Sequence, residues 1–314
     1  MQHEDTLSTP AWLRRFTKVT AFSTLLLIFA GAMVTSTSSG LAVPDWPLAY
    51  GQVFPPMVGG ILFEHGHRLI AATVGFLVLV QAFMLQVAEP KATVRNLGWL
   101  ALAAVVVQGV LGGMTVIFQL PVAVSVGHAS LAQIFLCLCV SIAFLTSRFS
   151  ESLRVAPELG ELRPLSKFLV GAVFAQIVIG ALMRHKGAGL AIPDFPLSLG
   201  RVVPEFTNAA IAINFMHRAW GVAVAIAILA LGPMVRRRAV GPLRTIYATL
   251  MGAVVIQILF GAFTVWTAKS PIVTSVHVMF GAFVLANALV FALTAARMER
   301  EAGAPAPIGR EVTA

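Results

Sequence analysis

Charge is what this chain has least of. Only 11% of its 314 residues are Asp, Glu, Lys or Arg, while 58% are hydrophobic and the mean hydropathy is +0.88. A soluble domain cannot hide that much apolar surface, so the composition excludes soluble folds and leaves an all-α polytopic membrane protein. Cysteine is almost absent as well. Cys137 and Cys139 lie two positions apart in an apolar run and face different directions on a helix. They are poorly placed for a disulfide and read as small core residues. No clear small-residue cleavage site follows the first apolar run, which is expected to be a retained helix.

The little charge present marks out the topology. A spanning helix needs roughly 20 mainly apolar residues, and the uncharged runs predict spans near 18–37, 63–86, 96–117, 122–146, 166–184, 210–233, 244–267 and 272–295. The fifth is the weakest, because Lys167 and Arg184 bracket it closely. The formal net charge of +9 raises the question of nucleic acid, but the placement of the cations answers it. Arg14, Arg15 and Lys18 precede the first span. Lys91 and Arg95 follow the second, and Arg148, Arg154, Arg163 and Lys167 follow the fourth. Arg236, Arg237, Arg238 and Arg244 follow the sixth, and Arg297 and Arg300 the eighth. By the positive-inside rule these segments are cytoplasmic, with both termini inside. Arg184, Lys186 and Arg201 are exceptions on the outer side. Residues 297–314, rich in Pro, Ala and Gly from Glu301 onward, are expected to form a disordered tail.

The chain is a tandem duplication. Gly40-Leu41-Ala42-Val43-Pro44-Asp45-Trp46-Pro47-Leu48 returns at offset 149 as Gly189-Leu190-Ala191-Ile192-Pro193-Asp194-Phe195-Pro196-Leu197. Gln108 matches Gln257, Thr115-Val116 matches Thr264-Val265, and His128 matches His277 at the same offset. His67-Arg68 matches His217-Arg218 at 150, which one inserted residue explains. The reading is two tandem four-helix bundles, residues 1–146 and 166–296, joined by a cytoplasmic linker at 147–165. An even number of spans per unit makes them parallel repeats with pseudo-two-fold symmetry. Gly109 and Gly113, and Gly171 and Ala175, have the spacing of small residues that let helix backbones approach, and tight packing accounts for them.

Four histidines, His67, His128, His217 and His277, fall near the starts of even-numbered spans, all on the outer side. A single histidine in a membrane helix has an ordinary explanation, a ring donating to a nearby carbonyl. Four in matching repeat positions point to cofactor ligation. Zinc calls for three or four ligands close together, whereas two histidines from facing helices suit the two axial faces of a haem. Arg68 and Arg218, beside the ligands, either meet haem propionates or snorkel to the interface. His65 and His185 read as rim or loop residues, and His3 belongs to the N-terminal tail. The halves differ at one telling place. Glu64 precedes His67 by three positions, on the same helix face, and Asn214 stands in its place before His217. That contrast suggests a reactive first half and an electron-relay or structural second half. The alternative for Glu64 is an interfacial carboxylate paired with His65 or Arg68. Trp46 and Phe195, in the repeated Pro-Asp-aromatic-Pro-Leu loops, either cap a pocket or sit in the headgroup layer.

Taken together, the duplicated unit, the Gly-Leu-Ala-x-Pro-Asp-aromatic-Pro-Leu loops, Glu64-x-x-His67-Arg68, His128, His217-Arg218 and His277 resemble the haem A synthase family over nearly all of residues 15–295. The resemblance implies oxidation of the C8 methyl group of haem O to a formyl group, by successive hydroxylations and loss of water, to give haem A. It implies haem B on His217 and His277, the substrate or product haem on His67 and His128, and a catalytic Glu64. It also implies a bacterial inner membrane, a haem O synthase as supplier, haem-copper oxidase assembly as destination and an electron donor, and it leaves room for a homo-oligomer. Some family members carry an outer-loop cysteine pair. Here Ala42, Val43 and Ala49, and Ala191, Ile192 and Ser198, occupy those loops, so no such disulfide forms. The histidines alone fit a dihaem electron-carrying cytochrome b equally well, and a haem carrier or insertion protein is a third reading. A solute transporter fits least, because neither half shows a Gly/Pro-interrupted mid-membrane helix.

Overall fold

The computed structural model describes residues 8–153, 159–238 and 241–300. In chain order the helices are α1 (Ala11–Ser36), α2 (Gly60–Ala88), α3 (Ala92–Ile117), α4 (Val122–Leu145), a short α5 (Arg148–Ser152), α6 (Leu162–His185), α7 (Ala209–Arg238), α8 (Gly241–Trp266) and α9 (Pro271–Arg300). All except α5 are long and apolar enough to cross a membrane, which gives the eight expected spans. The reason is that a lipid environment offers no partner for free backbone groups, so an apolar run of this length must satisfy them within a helix. Proline marks several starts: Pro10 and Pro121 precede α1 and α4, and Pro271 opens α9. Its fixed φ suits the first turn, where its missing N–H costs nothing.

The helices outrun the apolar windows that reveal them. Helix α1 begins at Ala11 rather than near 18, and α6 runs from Leu162 to His185. Their terminal turns carry Arg14, Arg15 and Lys18, and Arg163, Lys167 and Arg184, whose long stems let the charge leave an otherwise apolar cylinder. Helix α9 continues to Arg300, so the expected tail begins later than 297, and its remainder lies outside the described residues. His3 and Arg154 also lie outside them.

Helices α1 to α4 pack in a ring of neighbours, α1 on α2, α2 on α3, α3 on α4 and α4 on α1. Helices α6 to α9 repeat that ring. The two units meet where α1 lies on α9, α4 on α6 and α4 on α9. Under the repeat, α1 corresponds to α6 and α4 to α9, so these contacts map onto one another. A small cluster of Ile28, Leu136 and Ala282 fills the junction. Each unit has its own core, around Val74, Val78, Leu85, Phe135 and Ile142 in the first, and around Leu169, Ile228, Leu250, Leu285 and Phe291 in the second.

Lipid tails are as apolar as leucine, so close packing and interhelical hydrogen bonds hold such helices together. Thr17 Oγ1 meets Thr146 Oγ1 at 3.0 Å, Ser36 Oγ meets Ser275 Oγ at 2.9 Å, and Thr24 donates to Cys139 Sγ at 3.7 Å. Both cysteines are free. Spacing picks out the glycines that matter for close approach only in part. A methyl built on Gly109 or Gly171 meets nothing within 4 Å. One built on Gly98 falls 2.8 Å from Leu85, and one on Gly113 falls 2.8 Å from the Trp46 indole.

Candidate functional site

The starts of α2, α4, α7 and α9 all lie at one end of the helices, together with the loops 37–59 and 186–208. Each loop folds over the helix start that follows it, and the residues flanking the histidines hold it there. Arg68 Nη1 donates to the carbonyls of Asp45 (2.7 Å) and Leu48 (2.9 Å), and Nη2 to Val43 (3.3 Å). Arg218 repeats the pattern on Asp194, Leu197 and Ile192 at 2.7, 3.0 and 2.7 Å. The fixed donor fork of a guanidinium suits this three-carbonyl clamp, which a lysine could not reproduce. Asp45 accepts the N–H groups of Tyr50 and Gly51 at 2.7 and 2.9 Å, and Asp194 those of Leu199 and Gly200 at 2.7 and 2.8 Å. The bonds from Gly51 and Tyr50 hold the Asp45 carboxyl below its ordinary value of 3.8, and those from Gly200 and Leu199 do the same for Asp194. Both aspartates therefore stay ionised, as acceptors for their own loops, down to a pH below that value.

Glu64 and Asn214 do one structural task with opposite hydrogen-bond polarity. Glu64 is 4% exposed. Its Oε2 accepts the Val43 N–H at 2.8 Å and its Oε1 pairs with Arg68 at 2.6 Å. Asn214, equally buried, donates Nδ2 to the carbonyls of Ala188 (2.8 Å) and Gly189 (3.2 Å). The amide keeps its loop in place without bringing charge into the second half. His65 is no rim residue. It is buried, and its Nε2 lies 2.9 Å from the Val53 carbonyl, another tie to the first loop.

The four histidines come in two pairs. His67 on α2 and His128 on α4 lie within electrostatic reach of each other, as do His217 on α7 and His277 on α9. Each ring lies against a glycine of the neighbouring helix. A methyl on Gly31 falls 3.0 Å from His67 Cε1, and one on Gly112 falls 3.2 Å from His128 Cε1. On Gly180 it falls 2.8 Å from His217 Cε1, and on Gly261 3.1 Å from His277 Cε1. Gly31 and Gly180, like Gly112 and Gly261, are repeat partners at offset 149. Four imidazoles are thus seated by four equivalent gaps, each sized for a glycine. The rings remain half-buried, while the Nδ1 atom of His67 is buried with no hydrogen-bond partner among the described residues. His277 Nδ1 lies 3.2 Å from the Gln257 carbonyl. Donation there leaves Nε2 free with its lone pair, the arrangement of a metal-ligating histidine whose other ring N–H is held by a carbonyl. Among the described residues no group of three or more His, Cys, Asp or Glu side chains converges on a metal-sized site. Paired imidazoles with apolar surroundings instead fit the two axial positions of a haem.

Some neighbours of the pairs carry no obvious sequence signal. Gln176 donates Nε2 to the His217 carbonyl at 2.9 Å and sits 3.2 Å from its Nδ1, where the first half has Leu27. Gln108, whose repeat partner is Gln257, donates Nε2 to the His128 carbonyl at 3.0 Å. His185, at the end of α6, comes within electrostatic reach of His128, so the second unit contributes a group to the first unit's site. The internal alignment exposes the Gln176/Leu27 difference once Gly31 and Gly180 are recognised as seats for histidine rings.

The family described as cytochrome oxidase assembly protein matches residues 59–289. The haem A synthase of Shouchella clausii is 30% identical over 228 residues, covering 70% of this chain and 74% of that protein. The chain belongs to the haem A synthase family. Its relatives include the haem A synthases of Alkalihalophilus pseudofirmus, 27% identical over 70% of this chain and 75% of that protein, and of Halalkalibacterium halodurans, 29% identical over 67% and 71%. The stretch shared with the cytochrome oxidase assembly family includes Glu64, both histidine pairs, Arg68 and Arg218, and omits α1 and the loop carbonyls that Arg68 bonds.

Proposed function

We propose that this protein is a haem A synthase, a membrane oxidoreductase that converts the C8 methyl group of haem O to a formyl group. In two successive steps a C–H bond of the substrate methyl becomes C–OH, each a two-electron oxidation with dioxygen as the oxidant, and loss of water from the resulting diol leaves the aldehyde. The observation that carries the assignment of roles within the chain is the unequal duplication. Two equivalent histidine pairs stand in the two units, but only the first has a carboxylate, Glu64, on the helix face of its ligand. We therefore assign His67 and His128 to the iron of the substrate or product haem, and His217 and His277 to a resident haem B. When bound, haem B supplies one-electron redox chemistry.

The chain's own residues then divide the remaining work. His67 and His128 fix the substrate's orientation, which converts an encounter into a positioned reaction. Glu64, clamped by Arg68 and the Val43 N–H, presents a fixed carboxylate that passes protons beside the reacting carbon and steadies charge developing there. The loops held by Arg68 and Arg218 cover the histidine end and exclude water. The hydrogen bonds of these arginines support loop anchoring as their main role, with propionate contact left to Nε–H of Arg68 and to Nε–H and one Nη2–H of Arg218. By the positive-inside rule the basic end faces the cytoplasm, with both termini inside and the histidines near the outer face. Haem O then comes from a prenyl-transferring haem O synthase in the same bilayer, and haem A leaves towards haem-copper oxidase assembly.

The test of the site assignment is an oxidised and a reduced absorption spectrum of the purified protein, with its extracted haems identified by mass. Haem B together with haem O, haem A or a hydroxylated intermediate is expected. Protein that takes up no haem under ample supply would contradict the four-histidine reading.

The glycine seats give a sharper local prediction. Gly180→Ala is expected to lower second-unit haem content at least several-fold, because the added methyl lies 2.8 Å from His217 Cε1 and the ring must turn away. Gly171→Ala, on the same helix with open space around its methyl, is expected to be neutral. Equal haem-to-protein ratios in the two variants would remove the seat from the account.

A further inference from the structure

The outer half of α6 presents a row that the first unit lacks. Gln176, Gly180 and Arg184 follow one another at intervals of four, so they share one helix face. Gln176 bonds the His217 carbonyl, Gly180 seats the His217 ring, and Arg184 stands one turn further towards the loop end. At the repeat-equivalent positions α1 carries Leu27, Gly31 and Thr35. The seat is preserved, but the cation above it belongs to the second unit alone. Arg184 also lies within electrostatic reach of His277, the other member of that pair.

Its surroundings leave the charge unanswered. Arg184 Nη2 donates to the Ala32 carbonyl at 2.8 Å and to Ser36 Oγ at 2.7 Å, and Ser36 in turn meets Ser275. Its Nη1 and Nε make no hydrogen bond among the described residues, and no carboxylate there pairs with it. The two neutral acceptors hold the guanidinium at the junction of α6, α1 and α9 without neutralising it. A cation at the edge of an apolar bundle, on the side that the positive-inside rule disfavours, normally has an anion to meet.

We propose that Arg184 binds a propionate carboxylate of the haem held by His217 and His277. This rests on the reading of that pair as a haem site. The row then has a simple logic: Gln176 orients the His217 ligand, Gly180 makes room for it, and Arg184 receives the acidic edge of the porphyrin where it reaches the polar boundary. A guanidinium is suited to a carboxylate by its paired donors. Thr35 in the first unit offers no such charge. The unit that exchanges substrate for product therefore holds its haem less firmly at this edge than the unit with the resident cofactor.

The experiment uses the full chain in a His67→Ala background, so that the second-unit pair dominates ligation. Protein produced under haem limitation is titrated with haem B and with its dimethyl ester, following the low-spin absorption of bis-histidine ligation. With Arg184 intact, the free acid is expected to bind about tenfold or more tighter than the ester, the worth of one charge-assisted hydrogen bond. In Arg184→Gln that preference should largely vanish while the low-spin spectrum persists, and Arg184→Lys should restore part of it. An unchanged preference, or equal weakening of both ligands, would make Arg184 a strut between units or the partner of a lipid phosphate and would overturn the proposal. Loss of co-purifying phospholipid in the Gln variant would identify the latter. Absence of a low-spin haem signal with Arg184 intact would instead sink the haem-site reading on which the proposal stands.

Discussion

Glu64→Gln is expected to lose formyl-haem production by on the order of a hundredfold or more, with haem content unchanged. A hundredfold corresponds to about 2.7 kcal/mol of lost transition-state stabilisation, within the range for a positioned general acid–base group. The substitution is nearly isosteric, and the surrounding hydrogen bonds separate chemistry from structure. The glutamine carbonyl can still accept the Val43 N–H that Glu64 accepts at 2.8 Å. Arg68 loses its ion pair but keeps the carbonyls of Asp45, Leu48 and Val43. The loop therefore stays anchored, and the stability cost should be about 1–2 kcal/mol, below the ~3–5 kcal/mol of a buried pair broken with no other partner. Thermal melting of the purified variant checks that part, and mass analysis of extracted haems checks the chemistry. Normal turnover in Glu64→Gln would reduce Glu64 to a loop anchor, the role that Asn214 fills in the second unit.

The second large effect distinguishes the two histidine pairs. His67→Ala is expected to lose the haem O or haem A fraction and retain haem B, whereas His217→Ala should lose haem B. Both should fall at least a hundredfold in formyl-haem formation, since one loses substrate positioning and the other the electron relay. Neither change should unfold the protein, because the rings are half-buried against glycines rather than set in the two apolar cores. Quantifying the extracted haems decides the assignment. If His67→Ala removes haem B and spares the substrate haem, the roles of the two units are reversed.

Much of this architecture was legible in the sequence because the membrane simplifies the code. Apolar runs must become helices, and a duplication of Gly-Leu-Ala-x-Pro-Asp-aromatic-Pro-Leu at a fixed offset aligns one unit on the other. That alignment brings out His67, His128, His217 and His277 together and sets Glu64 against Asn214. What stayed hidden depends on contacts between residues far apart in the chain. Arg68 next to a histidine reads as a haem contact or a snorkelling cation, but its partners are carbonyls some twenty residues earlier, in a loop whose path the sequence does not reveal. His65 looks peripheral because nothing local shows that Val53 folds back onto it. Gly109 and Gly113 have the spacing of a helix-packing pair, yet only Gly113 makes a close approach, and its neighbour is Trp46 from a loop. Gly180 carries no spacing signal at all, and its role appears only when α7 places the His217 ring against it.

The most direct test of the central claim is to express the chain in a bacterial host that makes haem O but not haem A, and to analyse the membrane haems by mass. Haem A, accompanied by the hydroxylated intermediate, is expected with the unaltered chain and should disappear with Glu64→Gln. Membranes that contain the folded protein with bound haem B and abundant haem O, yet no formyl or hydroxylated haem, would contradict the synthase assignment and leave a dihaem electron carrier in its place.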